Sequence, residues 1–169
     1  FPTNHEIWLP SIQPLLSRFR IVLPDLRGHG DSGLGEGPAL MEKHAGDIAR
    51  IMDDAEIRRT TLVGNSIGGY AIFEFWRRSR ERVSGLVLCN TKVQADTQEE
   101  RNVRLQSAAT VLESGTEQFF ASQLTRLLGK TTQSSRPDLV EVALRMMRKM
   151  SAESVAMVQR GMAAGPDSL

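Results

Sequence analysis

The chain has a single cysteine, Cys89, so it holds no internal disulfide. That thiol lies in the apolar run Gly85 to Cys89 and reads as a buried strand residue rather than a reactive centre. It fits a reducing, cytoplasmic setting. An excess of one charge is also missing. With 21 Lys and Arg against 20 Asp and Glu, the formal net charge is +1. That gives no electrostatic case for nucleic acid or for a membrane surface. Four arginines crowd into Trp76 to Arg82, but at a helix end, where cations are favourable. No apolar run approaches the roughly 18 residues of a membrane span, and no signal peptide is visible. Histidine is scarce: His5, His29 and His44 are the only three. They lack ligand spacing, so neither a metal nor another cofactor is expected. Repeats and low-complexity tracts are absent. What remains is an ordinary globular composition, 40% hydrophobic and 24% charged, and 169 residues make one domain the default.

Against that plain background one stretch stands out. Thr60 to Val63 is a short run with β-branched residues and reads as a buried strand. It leads into Gly64-Asn65-Ser66-Ile67-Gly68-Gly69, and a helical pattern begins near Ile67. A serine hydroxyl is a poor nucleophile unless it is exposed, positioned and next to a base. A sharp strand-to-helix turn lifts Ser66 above the sheet edge. Such a turn strains the backbone at Ser66, so Gly64, Gly68 and Gly69 are expected where only small residues fit. The start of the helix offers backbone N–H groups and a positive dipole end to a developing oxyanion, with the N–H of Ile67 as first donor. The plainer alternative is a glycine-rich turn that could bind a phosphate.

Around this turn, strand and helix patterns alternate. Glu6 to Phe19 reads as a helix broken by Pro10 and Pro14, and Ile21 to Leu26 as a strand. A glycine-rich loop runs from Arg27 through Gly37 and Pro38. Met41 to Ala55 and Ile67 to Arg80 are predicted helices, and Val83 to Asn90 another strand. The alternation implies a parallel sheet with helices on both faces. After Asn90 no strand pattern follows. Four helices are predicted, Thr97 to Glu113, Thr116 to Leu128, Pro137 to Met150 and Ser154 to Met162, with the polar run Thr131 to Ser135 as punctuation. The methionines there either line an adaptable apolar pocket or fill ordinary helix–helix core.

These residues resemble the α/β-hydrolase superfamily. Pro24-Asp25-Leu26-Arg27-Gly28-His29-Gly30-Asp31-Ser32-Gly33 is similar to its D-x-R-G-x-G-x-S loop, Leu62 to Gly69 to its nucleophile elbow, and Val83 to Thr91 to the strand after the elbow helix. Ala95 through Asp167 resembles, more loosely, the helical cap of the 3-oxoadipate enol-lactonase-like branch. The resemblance implies a partial α/β-hydrolase fold, with residues 1–90 as part of the core and 91–169 as a helical cap. It implies acyl transfer on Ser66 and a small ester or enol-lactone substrate. It puts Phe1 at the position of the second oxyanion donor, through its backbone N–H.

The departures are equally informative. Phe1-Pro2-Thr3 reads as the continuation of the family's His-Gly-Phe-Pro, without the His-Gly strand. The family's acid and histidine follow the nucleophile, whereas all three histidines here precede Ser66. His29 reads as a loop-packing residue, and neither His5 nor His44 has an evident carboxylate partner. Where some members carry the acid, this chain has Asn90, and an amide cannot stabilise an imidazolium as a carboxylate does; Asp96 is a remote alternative. The expectation is therefore a hydrolase fragment with its catalytic acid and histidine elsewhere, inactive as it stands. Arg101, Arg104, Arg126 and Arg145 are unranked candidates for meeting a substrate carboxylate. A carbon–carbon bond hydrolase or cofactor-free haloperoxidase on the same scaffold remains an alternative, as does a non-catalytic ligand-binding module or a truncated remnant. A dehalogenase or epoxide hydrolase is disfavoured, because those use a carboxylate where Ser66 stands. The sequence does not indicate an oligomeric state.

Overall fold

The computed structural model describes residues 1–168. Near the start, Pro10 and Pro14 divide the chain into short turns around a single helical turn, α1 (Leu9–Ile12). Proline cannot donate the N–H that a longer helix would need. The first long helix, α2 (Met41–Asp54), leads to strand β1 (Thr60–Asn65), helix α3 (Ile67–Arg78) and strand β2 (Val83–Cys89). β1 and β2 pair in parallel, with Leu62 opposite Leu86 and Gly64 opposite Leu88. Such a pair requires a crossover, and α3 is that crossover.

One apolar core lies between the helices and the sheet. Ala45, Ile48 and Met52 of α2 meet Ala71, Ile72 and Phe75 of α3, and Leu62 and Leu86 pack beneath them. The helical spacing of 45, 48 and 52 puts those side chains on one stripe. Side chains alternate along a strand, so Val63 and Val87 fall on the other face, where they are 49% and 46% exposed.

A second core is entirely helical at its centre. After β2 come α4 (Gln98–Ser114), α5 (Glu117–Leu127), α6 (Lys130–Ser135), α7 (Pro137–Met147) and α8 (Ala152–Ala163), with no strand among the described residues. Thr97 opens α4 with a capping box: its hydroxyl accepts from the Glu100 N–H, and the Glu100 carboxylate accepts from the Thr97 N–H. Ala108 and Val111 of α4, Phe119 and Phe120 of α5, Ala143 and Met147 of α7, and Val155, Val158 and Met162 of α8 share this core with Ile67. The first residue of α3 thus ties the elbow to the helical layer.

Several expectations change. Ile21 to Leu26 is not a strand. A ladder needs a neighbour, and β1 and β2 bond only to each other among the described residues. The polar run Thr131 to Ser135 is not a loop but helix α6, where the Ser135 hydroxyl donates to the Thr131 carbonyl. Cys89 is half-buried rather than enclosed, because β2 is an edge of the two-stranded sheet. The methionines resolve toward core: Met41, Met52, Met146, Met147, Met150 and Met162 are all buried. No helix among the described residues is long and apolar enough to cross a membrane.

Candidate active site

Ser66 links the end of β1 to the start of α3 at φ 51° and ψ −115°. That region is sparsely populated for a residue with a side chain, and it persists only where neighbours over-determine it. Here they do. The Ser66 N–H donates to the Cys89 carbonyl at 3.0 Å. The Ser66 carbonyl accepts from the Gly69 N–H and from the Thr91 hydroxyl, each at 2.8 Å. The hydroxyl of Ser66 itself has no hydrogen-bond partner among the described residues. Ile67 and Gly68 occupy the first turn of α3, where helix geometry leaves N–H groups without an intrahelical acceptor.

The glycines divide. A Cβ on Gly64 would lie 2.6 Å from the backbone carbon and oxygen of Gly68, so strand and helix approach too closely for any side chain. A Cβ on Gly69 would run into the Thr91 side chain. A Cβ on Gly68 meets nothing within 4 Å. The expectation of a steric need at Gly68 is therefore corrected: its outward side of the helix is open among the described residues.

Phe1 packs between the glycine-rich loop and α5. Its ring stands edge-on to His29, with centroids 5.6 Å apart, and tilts against Phe119 of α5 at 5.8 Å. His29 is 2% exposed, and its Nδ1 lies 3.1 Å from the Arg27 carbonyl, while Nε2 is buried without a partner. His44, on α2, is fully buried with both ring nitrogens unpartnered. Burial lowers both imidazoles to about 4, so they are neutral at pH 7. His5 does have a carboxylate partner, contrary to expectation: Asp25, with Oδ1 2.9 Å from its Nδ1. No local pattern announces that pair, because 20 residues separate them and only the loop fold joins them. None of the three histidines bonds Ser66, and no cluster of His, Cys, Asp or Glu among the described residues could hold a metal.

Asp96 is engaged elsewhere. It pairs with Arg104 of α4 and lies 3.1 Å from Lys92. Burial pushes its carboxyl up, but bonds from Arg104 and Lys92 hold it below the usual range. Among the arginines left unranked by sequence, Arg104 also reaches Gln159 and Met162 of α8, and the Nε of Arg101 is buried without a partner. Arg145 instead pairs with Glu6 at 3.0 Å. Thr91, which nothing in the sequence singled out, is the residue nearest in chemistry to the elbow backbone.

A parallel β–α–β unit with a strained serine at its strand-to-helix turn is the arrangement of an α/β fold. The chain belongs to the α/β hydrolase fold family, whose model matches residues 1–161. It is similar to 3-oxoadipate enol-lactonase 1 of Acinetobacter baylyi, 26% identical over 161 residues that cover 95% of this chain and 59% of that protein. In structure it resembles a malate-bound thermophilic esterase from Thermogutta terrifontis at a TM-score of 0.93 and 34% identity, covering 99% of this chain and 62% of that one. It also resembles the enol-lactonase from Burkholderia xenovorans at a TM-score of 0.91 and 25% identity, covering 98% and 63%. The chain thus spans about three-fifths of the length of these relatives.

Proposed function

We propose that the protein cleaves a small ester or lactone by acyl transfer through Ser66. The observation that carries this reading is the Ser66 backbone, held at φ 51° where β1 meets α3. Strain of this kind is tolerated where the geometry serves a purpose, and it presents the hydroxyl at the mouth of a helix N-terminus. In the reaction the Ser66 Oγ bonds to the substrate carbonyl carbon and gives its proton to a base. The carbonyl oxygen becomes an oxyanion facing the Ile67 N–H, with the Phe1 backbone N–H as second donor. Each such donor is worth roughly 3–4 kcal/mol in a well-studied protease. The oxyanion then collapses, the ester C–O bond breaks, and the leaving alkoxide takes a proton. Water releases the acid by the same steps. His5, His29 and His44 are each committed to other surroundings, and none of them bonds Ser66.

Helices α4–α8 serve as a cap in this reading, with Phe119 against Phe1 as its contact with the elbow side. The substrate class rests on similarity to enol-lactonases and an esterase. The test is labelling of the protein with a serine-reactive fluorophosphonate, followed by mass mapping. The adduct is expected on Ser66 and absent in Ser66→Ala. An adduct on another serine, or labelling unchanged in the variant, rejects the reading.

A further inference from the structure

We infer that Thr91 is a positioning residue for the oxyanion donor, acting through the peptide that joins Ser66 to Ile67; this rests on the acyl-transfer reading of the site. A trans peptide points its C=O and its N–H in opposite directions from one rigid plane. Fixing the Ser66 carbonyl therefore aims the Ile67 N–H. Two donors fix that carbonyl. One is the Gly69 N–H at 2.8 Å, supplied by the helix itself. The other is the Thr91 hydroxyl, also at 2.8 Å, supplied from outside the helix. Together they fill both lone pairs of the oxygen.

The placement of Thr91 is built by the end of β2. Cys89 accepts from the Ser66 N–H as the last rung of the ladder. Asn90 then turns through a positive φ of 44°, a conformation Asn tolerates better than most residues. That single turn brings Thr91 back over the first turn of α3. Gly69 completes the fit, since any side chain there would occupy the space of the Thr91 Oγ1 and Cβ. The peptides on either side of Ser66 are thus pinned by two residues of one segment, Cys89 and Thr91. The strained serine between them has no freedom to relax. A donor that is already oriented needs no reorganisation as charge develops, which is where its catalytic worth lies. The absence of glycine at 91 and the presence of glycine at 69 are two halves of one device.

The test compares Thr91→Val, which keeps the shape and removes the hydroxyl, with Thr91→Ser, which keeps the hydroxyl. Steady-state hydrolysis of a short-chain aryl ester is measured on the full-length protein, beside Ser66→Ala. Thr91→Val should lower kcat about 10- to 100-fold with KM within about twofold, the pattern of an interaction made in the transition state. Thr91→Ser should recover kcat to within about threefold. Affinity for a boronic acid that forms a tetrahedral serine adduct should fall with kcat. Amide hydrogen exchange at Gly69, whose N–H shares the Ser66 carbonyl with the Thr91 hydroxyl, should quicken in Thr91→Val and not in Thr91→Ser. A kcat within twofold of the parent in Thr91→Val, a loss confined to KM, or unchanged exchange at Gly69 overturns the inference. Activity retained by Ser66→Ala overturns the acyl-transfer reading instead, and exchange at Gly69 then still decides whether Thr91 orders the Ser66 carbonyl.

Discussion

Asp25 holds His5 twice. Its Oδ1 accepts the His5 backbone N–H at 2.7 Å and the ring Nδ1–H at 2.9 Å. Its Oδ2 accepts the Asp31 N–H at 3.1 Å. One carboxylate, 6% exposed, thereby joins the segment before α1 to the start and the middle of the glycine-rich loop. Burial alone would raise its pKa, but the bonds from His5 and Asp31 outweigh that and lower it. Asp25→Ala would leave two backbone N–H groups and a ring N–H without acceptors. It should cost about 2–4 kcal/mol of stability. Urea unfolding measures this, and an unchanged midpoint would show that other contacts hold these loops.

The elbow glycines give a graded series. Gly64→Ala forces a Cβ against the Gly68 backbone, which cannot give way as a flexible side chain would. A loss of at least about 2 kcal/mol is expected. Gly69→Ala displaces Thr91 and should lower activity as well as stability. Gly68→Ala meets no atom and replaces glycine by a better helix former, so stability should hold or rise by up to about 1 kcal/mol. Thermal melts of the three variants rank them. A Gly64→Ala protein as stable as Gly68→Ala would contradict the close approach of β1 and α3.

How much of this was legible in the chain depends on whether the signal was local. Thr60 to Gly69 could be read directly, because a β-branched run, small residues and a helical pattern lie side by side. The long helices were likewise legible from their apolar spacing. Ile21 to Leu26 shows the limit: its residues suit a strand, but a strand exists only with a partner, and pairing is not a local property. The Asp25–His5 pair, the Asp96–Arg104 pair and the Thr91 bond to Ser66 all depend on loops folding back. Periodicity carries no information about such contacts. Gly68 departs from expectation for a related reason: a motif marks which residues are small, but not which face of the helix is crowded.

Acid should destabilise the fold in a defined window. In the unfolded chain His29 and His44 titrate near 6.5, and in the fold burial lowers both to about 4. For His44 the nearby His29 and Arg27 add to that depression. Below pH 6.5 the unfolded chain takes up protons that the fold resists. Stability is therefore complete above about 6.5 and is lost as pH falls toward 4. Each histidine should contribute roughly 2 kcal/mol of loss by pH 5. Urea midpoints at pH 7.5, 6 and 5 should decline steadily, and His44→Gln should flatten the decline. A flat profile in the parent would show that these rings are solvated in solution.

The last prediction concerns residues 1–169 expressed by themselves. Ser66 has no hydrogen-bonded base among the described residues. His5 is held by Asp25, His29 is enclosed between Phe1 and the Arg27 carbonyl, and His44 is buried in α2. A positioned general base typically supplies about 10²–10⁴ in rate, and that contribution should be missing. An oxyanion site without a complete triad can still retain some catalysis. Slow acylation of Ser66 is therefore expected, with a rate that climbs with hydroxide across pH 6–9 and shows no plateau near a histidine pKa. Rapid turnover with such a plateau, lost in both Ser66→Ala and His29→Gln, would instead make His29 the base. Its Nε2 is unpartnered among the described residues, and its ring lies beside Phe1.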